Sequence, residues 1–285
     1  MRKRLIAAAA TVLAALVAAP APAHAAATHD IQIDGSPLFT RDFVVIDRSS
    51  WLDADKVQTV TLEEGRRYRL ITGTSVAPFT FWTDATGNVH YDPAAESYLD
   101  GQGTKRLTLV GVDTTVDARY LTGAGVIVAG GHPRNDDWIR YQKVRLLPSP
   151  TYRWQQSSGV LATATAALDT QGRWTYGGQY AGYLGGNGTT TLTFLGYPLI
   201  VDARASGGTG LDVQPIWGNT FTSTSVQTLV LLPAKPFSLQ VRGGVVSTVS
   251  FGLTDDGRII FDAGQPLAVD TFHGLTRLTV TRPIT

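Results

Sequence analysis

Three connecting stretches of the chain combine tryptophan with acidic, amide and basic side chains. A tryptophan ring offers a flat apolar face on which a sugar can stack, while carboxylates and amides form directed hydrogen bonds with hydroxyl groups. Loops on a rigid β scaffold are a common place for binding residues. The alternative reading is that these tryptophans fill gaps between repeats. The predicted binding residues are Trp51, Asp53, His132, Arg134, Asp136, Asp137, Trp138, Trp217 and Asn219.

His90 and Asp92 form a second candidate pair, on either side of Tyr91. Histidine titrates in the range that is useful for acid–base chemistry. A polysaccharide-cleaving enzyme would bring Asp92 into one cleft with Asp136 and Asp137. The alternative is that His90 is an exposed strand residue.

Signatures of several common enzyme and metal sites are absent from the sequence. There is no Gly-x-Ser-x-Gly nucleophile motif, no phosphate-binding Gly-x-x-x-x-Gly-Lys loop and no His-Glu-x-x-His zinc motif. The acidic clusters are too short for a calcium loop, and the chain has no cysteine. We therefore predict no catalytic residue, no metal site and no cofactor.

A repeat of 85 residues underlies these candidates, because Gly87, Gly172 and Gly257 recur at that spacing within similar turn sequences. An aromatic residue follows each glycine by four positions, as Tyr91, Tyr176 and Phe261. Runs such as Arg106–Val110 are short, rich in β-branched or aromatic residues, and bounded by glycine, aspartate or proline, which is typical of strands. The sequence therefore predicts an all-β protein with three internal repeats.

The third repeat ends early at Thr285, so the start of the mature chain is a candidate to complete it. We expect a propeller-like or prism-like ring in which the terminal strands pair. Three tandem β-sandwiches are the alternative. The predicted divisions are a leader at 1–25, an N-terminal segment at 26–57 that completes the last repeat, and repeats at 58–142, 143–226 and 227–285.

The first 25 residues have the pattern of a secretory signal peptide. Arg2, Lys3 and Arg4 precede an apolar stretch, and Ala23-His24-Ala25 is a small-x-small cleavage pattern. No second stretch is long enough to span a membrane, so we predict a secreted protein without membrane insertion. The formal net charge is only +1 and the mature part has no long basic run, which argues against nucleic acid as a partner.

Together these features favour a secreted, non-catalytic binding protein. Its ligand would be an extracellular polymer, such as a glycan of the cell wall or of the surroundings. Two alternatives stay open: a secreted enzyme that acts on polysaccharide, and a structural or inhibitory protein that binds another secreted protein.

Overall fold

The computed structural model describes residues 26–39, 42–45, 51–53, 57–72, 75–76, 79–129, 138–157, 160–207, 210–214, 224–242 and 246–281. These residues are nearly all β-structure arranged in several sheets, which confirms the predicted all-β class. The helices are single 3₁₀ turns at Pro93–Ala95, Gly178–Tyr180 and Arg204–Ser206. Within the described ranges, no helix has the length and apolar character needed to cross a bilayer.

The strands are grouped below into an N-terminal segment (28–111), a middle segment (112–196) and a C-terminal segment (197–281). The N-terminal segment contains β1 (Thr28–Asp34), β2 (Asp42–Val45), β3 (Trp51–Asp53), β4 (Val57–Glu63), β5 (Leu70–Thr72), β6 (Ser75–Val76), β7 (Phe81–Thr83), β8 (Val89–Tyr91), β9 (Leu99–Asp100) and β10 (Arg106–Leu109). The middle segment contains β11 (Val112–Asp117), β12 (Ile127–Val128), β13 (Tyr141–Leu146), β14 (Ser149–Ser157), β15 (Val160–Leu168), β16 (Trp174–Tyr176), β17 (Leu184–Gly185) and β18 (Thr191–Phe194). The C-terminal segment contains β19 (Tyr197–Asp202), β20 (Gly210–Gln214), β21 (Val226–Leu231), β22 (Ala234–Arg242), β23 (Val246–Leu253), β24 (Ile259–Ile260), β25 (Leu267–Phe272) and β26 (Leu275–Val280).

Each segment contributes one four-stranded sheet, and the order of pairing is the same in all three sheets. The orders are β4-β1-β10-β9, β13-β11-β18-β17 and β21-β19-β26-β25. In each sheet the first strand of the segment pairs antiparallel with one neighbour and parallel with the other. The outermost strands β9, β17 and β25 are therefore equivalent edges.

Further strands form the facing layer. In the N-terminal segment these are β3-β2-β5-β6 and the β7-β8 hairpin. In the other two segments they join into a single eight-stranded sheet, because β15 pairs with β22 at Leu161–Lys235 and Ala162–Ala234. This pairing links the middle and C-terminal segments through backbone hydrogen bonds.

The core lies between the facing sheets. In the middle segment, Trp154 on β14 meets Phe194 on β18 with ring centroids 5.2 Å apart, and both side chains are fully buried. In the C-terminal segment, a separate cluster takes alternate residues from β19, β21 and β26 on one side and from β22 and β23 on the other. Burying one large apolar side chain contributes about 1.5–3 kcal/mol, so these alternating strands are what hold the layers together.

A tight turn joins β15 to β16, as the Asp-x-x-Gly spacing predicts. The Asp169 carboxylate accepts the backbone N–H groups of Gln171 and Arg173, and Gly172 has φ +75°. A side chain on Gly172 would also meet the carbonyl oxygen of Asp113 on β11. The turn therefore needs glycine both for its backbone conformation and for its close contact with the first strand of the segment.

The predicted ring closure is wrong for the part of the chain that the structure describes, where no closed barrel or propeller is found. β1 pairs with β4 and β10 of its own segment, while β26 pairs with β19 and β25. The sequences of Ile31–Ile33 and Leu278–Val280 are similar because both strands alternate aliphatic and polar residues. Such a pattern identifies a half-buried strand but not its partner.

Candidate functional site

The predicted tryptophan loops are described only in part. Trp138 is half-buried and lies one residue before Ile139, which forms a β-bridge with Val126. Trp51 and Asp53 lie on β3, and nothing is described of their side chains. The remaining predicted binding residues are outside the described part of the chain: His132, Arg134, Asp136, Asp137, Trp217 and Asn219. The loop surface therefore stays a prediction.

His90 and Asp92 lie on the outer face of the β7–β8 hairpin, around Trp82. The Arg67 guanidinium lies 4.2 Å from the centre of the Trp82 ring, and the His90 ring stacks against the same indole with centroids 6.0 Å apart. Because these two side chains already pack against the indole, Trp82 is a weaker platform for a sugar than an aromatic ring without such neighbours.

The polar groups of this cluster hold one another in place. His90 Nε2 lies 2.8 Å from Asp84 Oδ2, and this contact, with the Thr86 hydroxyl, holds the pKa of the Asp84 carboxyl well below its usual range. Asp92 accepts from Arg67 and Thr80. Since each acidic group has a partner inside the cluster, the arrangement supports the hairpin rather than a reaction.

The corresponding face of the C-terminal segment is open and forms a cleft of about 370 Å³. Ligand sites in proteins commonly have volumes of about 300–1,000 Å³, so the cleft is large enough for a small ligand or one unit of a polymer. Sequence reasoning missed this site. Its lining residues are Lys235, Pro236, Ser250, Phe251, Gly252, Ile260, Phe261 and Asp262.

One cause of the opening is Gly252, which pairs with Ile260 across β23 and β24. The equivalent cross-strand pair is Trp82–His90 in the N-terminal segment and Ala167–Thr175 in the middle segment. A Cβ on Gly252 would lie 2.8 Å from Lys235 Cγ and 3.1 Å from Ile260 Cγ1, so these two side chains already pack over the glycine and would have to shift to admit a larger residue. The side chain at this position becomes smaller from Trp82 to Ala167 to Gly252. The sequence contains this trend, but the strand register is needed to recognise that the three positions are equivalent.

The second cause is a missing loop contact. In the N-terminal segment, Val89 on β8 donates to Thr104 and accepts from Gly103, so the loop between β9 and β10 covers this strand. The loop between β17 and β18 covers β16 in the same way, through hydrogen bonds with Trp174. In the C-terminal segment, the β25–β26 hairpin takes the place of that loop and, within the described residues, makes no such bond to β24. Phe261 is consequently 36% exposed, whereas Tyr91 is 4% exposed.

The cleft combines apolar walls with a few polar groups. Phe261, Pro236 and Ile260 supply the apolar surface, while Lys235 and Asp262 supply a donor and an acceptor. This composition suits a ligand that has both apolar faces and hydroxyl groups.

A second depression, of about 400 Å³, lies where the N-terminal and middle segments meet. Its charged groups are already paired: Asp113 binds Arg145 at 2.9 Å and Lys143 at 3.3 Å. The hydrogen bond from Arg145 lowers the pKa of the Asp113 carboxyl. Because these charged side chains neutralise one another, the depression is a weaker candidate for a ligand site than the cleft.

Comparison of the chain with models of protein families, with curated proteins and with solved structures gives no match. Within the described ranges, no group of three His, Asp or Glu side chains is arranged to hold a metal ion.

Proposed function

We propose that this chain is a secreted, non-catalytic protein that binds an extracellular glycan in the cleft of the C-terminal segment. The observation that carries the proposal is the exposed side chain of Phe261, which lines one cleft together with Lys235 and Asp262. An aromatic face packs against the apolar side of a sugar, and charged or hydroxyl groups select its orientation. The leader-like pattern at 1–25 supports export.

The enzyme alternative requires a second carboxylate. Glycosidases use two carboxyl groups about 5–9 Å apart, and Asp262 is the one carboxylate among the residues that line the cleft. The earlier enzyme hypothesis placed Asp92 with Asp136 and Asp137, of which the last two lie outside the described residues. The cleft therefore favours binding over cleavage.

The test is retention of residues 26–285 on a panel of insoluble glycans that includes peptidoglycan, with release of soluble sugar assayed in the same tubes. We expect retention without release. Gly252→Trp should abolish retention because the indole displaces Lys235 and Ile260 from above the glycine and fills the cleft. A thermal melt equal to that of the unchanged protein would show that the sheet is intact in this variant. Phe261→Ala should weaken retention by removing the exposed ring.

Ala167→Trp is the matched control, since it makes the same change at the paired position of the middle segment. It should bind as the unchanged protein does. Equal retention of Gly252→Trp would place the site elsewhere, and no retention on any glycan would overturn the proposal. Release of sugar would favour the enzyme alternative.

We also infer that the three segments are tandem copies of one two-sheet sandwich. The equal sheet orders support this, and so do the turn glycines Gly87, Gly172 and Gly257, each of which lies against the first strand of its own segment. The repeat boundaries would then fall after Gly111 and Gly196, whereas those predicted near 58, 143 and 227 fall within β4, β13 and β21. An experimental structure in which the three segments do not superpose would contradict this.

A further inference from the structure

The edge strand β25 differs from its counterparts in the other two segments. It runs for six residues, Leu267–Phe272, whereas β9 and β17 have two residues each. β25 pairs with β26 on one side and is the last strand of its sheet. A long edge strand presents a row of unpaired backbone groups, which is a template for pairing with another chain.

The hairpin geometry shows which backbone groups face outward. His273 and Gly274 form a two-residue turn, both with positive φ, so the flanking residues Phe272 and Leu275 form a hydrogen-bonded pair. Because hydrogen-bonded and non-hydrogen-bonded pairs alternate along an antiparallel ladder, the N–H and C=O groups of Val269 and Thr271 point away from β26. Neither residue forms a backbone hydrogen bond to another described residue outside the strand.

Apolar side chains accompany this open edge. Val269 is 43% exposed and Phe272 is 41% exposed, although both belong to a strand. An incoming strand would cover these side chains while it satisfies the backbone of Val269 and Thr271. Backbone pairing and apolar burial would therefore act together.

A second copy of the same strand is a poor occupant. Antiparallel self-pairing that joins Val269 to Thr271 of the other copy would place the two Asp270 side chains directly opposite each other. That position is a non-hydrogen-bonded pair, where side chains are closest, and like charges there are destabilising. Asp270 already binds Arg277, whose guanidinium also lies 4.7 Å from the centre of the Phe272 ring. The Asp270 side chain nevertheless stays 51% exposed, so a lysine or arginine opposite it could share the carboxylate with Arg277, whereas a second Asp270 could not.

We propose that β25 binds an extended segment of another protein by strand addition, with alternating β-branched residues and a lysine or arginine opposite Asp270. This surface does not include any residue that lines the glycan cleft. The two proposals can therefore fail separately.

The probe is a fluorescein-labelled peptide of alternating valine and threonine with a central lysine, and fluorescence anisotropy measures its binding to residues 26–285. We expect saturable binding. Thr271→Pro should weaken binding at least tenfold, because it removes an outward N–H and breaks no bond to β26. Thr271→Val keeps the N–H and is the matched control, which should bind as the unchanged protein does.

The charge requirement gives a second readout. Asp270→Lys should weaken binding of the lysine peptide and strengthen binding of a peptide with a central glutamate. Thr271→Pro should retain the thermal melt and the glycan retention of the unchanged protein. The proposal is overturned if Thr271→Pro binds the peptide undiminished, if the lysine and glutamate peptides bind equally, or if neither peptide shows saturable binding.

Discussion

Arg106 on β10 forms an ion pair with the carboxylate of Asp34 on β1, which lies 72 residues earlier in the chain. In the middle segment the corresponding carboxylate has a nearby partner, because Asp117 at the end of β11 binds Arg119 two residues later. The position of Arg119 is occupied by Ser36 in the N-terminal segment, which leaves room for the arginine to come from β10. Both aspartates are buried, at 5% exposure. A buried carboxylate thus has an arginine partner in both places, from different parts of the chain.

Loss of Arg106 should destabilise the protein measurably. Arg106→Ala leaves the buried Asp34 with Ser36 as its remaining partner, and we expect the free energy of unfolding to fall by about 1–3 kcal/mol. Ser36→Arg combined with Arg106→Thr copies the middle segment and should restore most of the loss. Urea unfolding measures both effects. Arg258→Ala is the control, because it removes an exposed ion pair that contributes little to stability. An Arg106→Ala protein as stable as this control would contradict the interpretation.

Stability should decrease in acid through Asp117 and Asp202. Hydrogen bonds from Arg119 and Arg204 lower the pKa of these two carboxyls in the folded protein. A lowered folded pKa contributes stability that is fully present above the unfolded value of about 4 and is lost as pH falls through the folded value. The free energy of unfolding, measured by urea from about pH 7 to about pH 3, should therefore drop below about pH 4. Replacing both residues, Asp117→Asn with Asp202→Asn, should reduce that slope, and an unchanged slope would assign the acid sensitivity to other groups.

Gln156 should couple the middle and C-terminal segments. Its side chain is 1% exposed, donates to the carbonyls of Thr122 and Val230, and accepts the backbone N–H of Leu232 at 2.8 Å. Gln156→Leu would remove the partner of the Leu232 N–H and of the Thr122 carbonyl, while the Val230 carbonyl keeps the hydrogen bond from the Thr122 N–H. We expect a loss of about 3 kcal/mol in unfolding free energy. Hydrogen exchange should show faster exchange at the Leu232 amide. Gln155→Leu, at the neighbouring half-buried position, is the control and should leave that amide protected. Unchanged Leu232 exchange in the Gln156 variant would disprove the coupling.

In the proposed tandem arrangement of the three segments, polar side chains should protect the two outer ends. Leu121 lies over Gly196, and Leu232 is fully buried, whereas the matching positions at the free ends carry Ser206 and Glu63. Repeat arrays need polar outer faces to remain soluble. Glu63→Leu combined with Ser206→Leu should therefore produce head-to-tail association that grows with concentration in sedimentation velocity. Each single variant should associate less than the double variant. A double variant that stays monomeric at every concentration would show that these residues do not guard the ends.

The sequence was sufficient for the all-β class and for the position of its tight turns. The turn at Asp169–Gly172 depends on neighbouring residues alone, since the carboxylate, the N–H groups it accepts and the glycine all lie within one short stretch. Strand character is likewise local, because alternation of apolar and polar residues requires only that one face be buried.

Strand partners were decided by the tertiary structure. β1 pairs in parallel with β10, more than 70 residues away, and not with β26, although both are equally alternating. The cleft likewise depends on strand pairing. Gly252 is one of 30 glycines, and only its pairing with Ile260 shows that it stands at the position that Trp82 holds in the N-terminal segment. The same holds for Val269 and Thr271, whose backbone is free because nothing in the described structure pairs with that edge of β25. These features depend on contacts between residues distant along the chain, and local patterns carry no record of which distant residues meet.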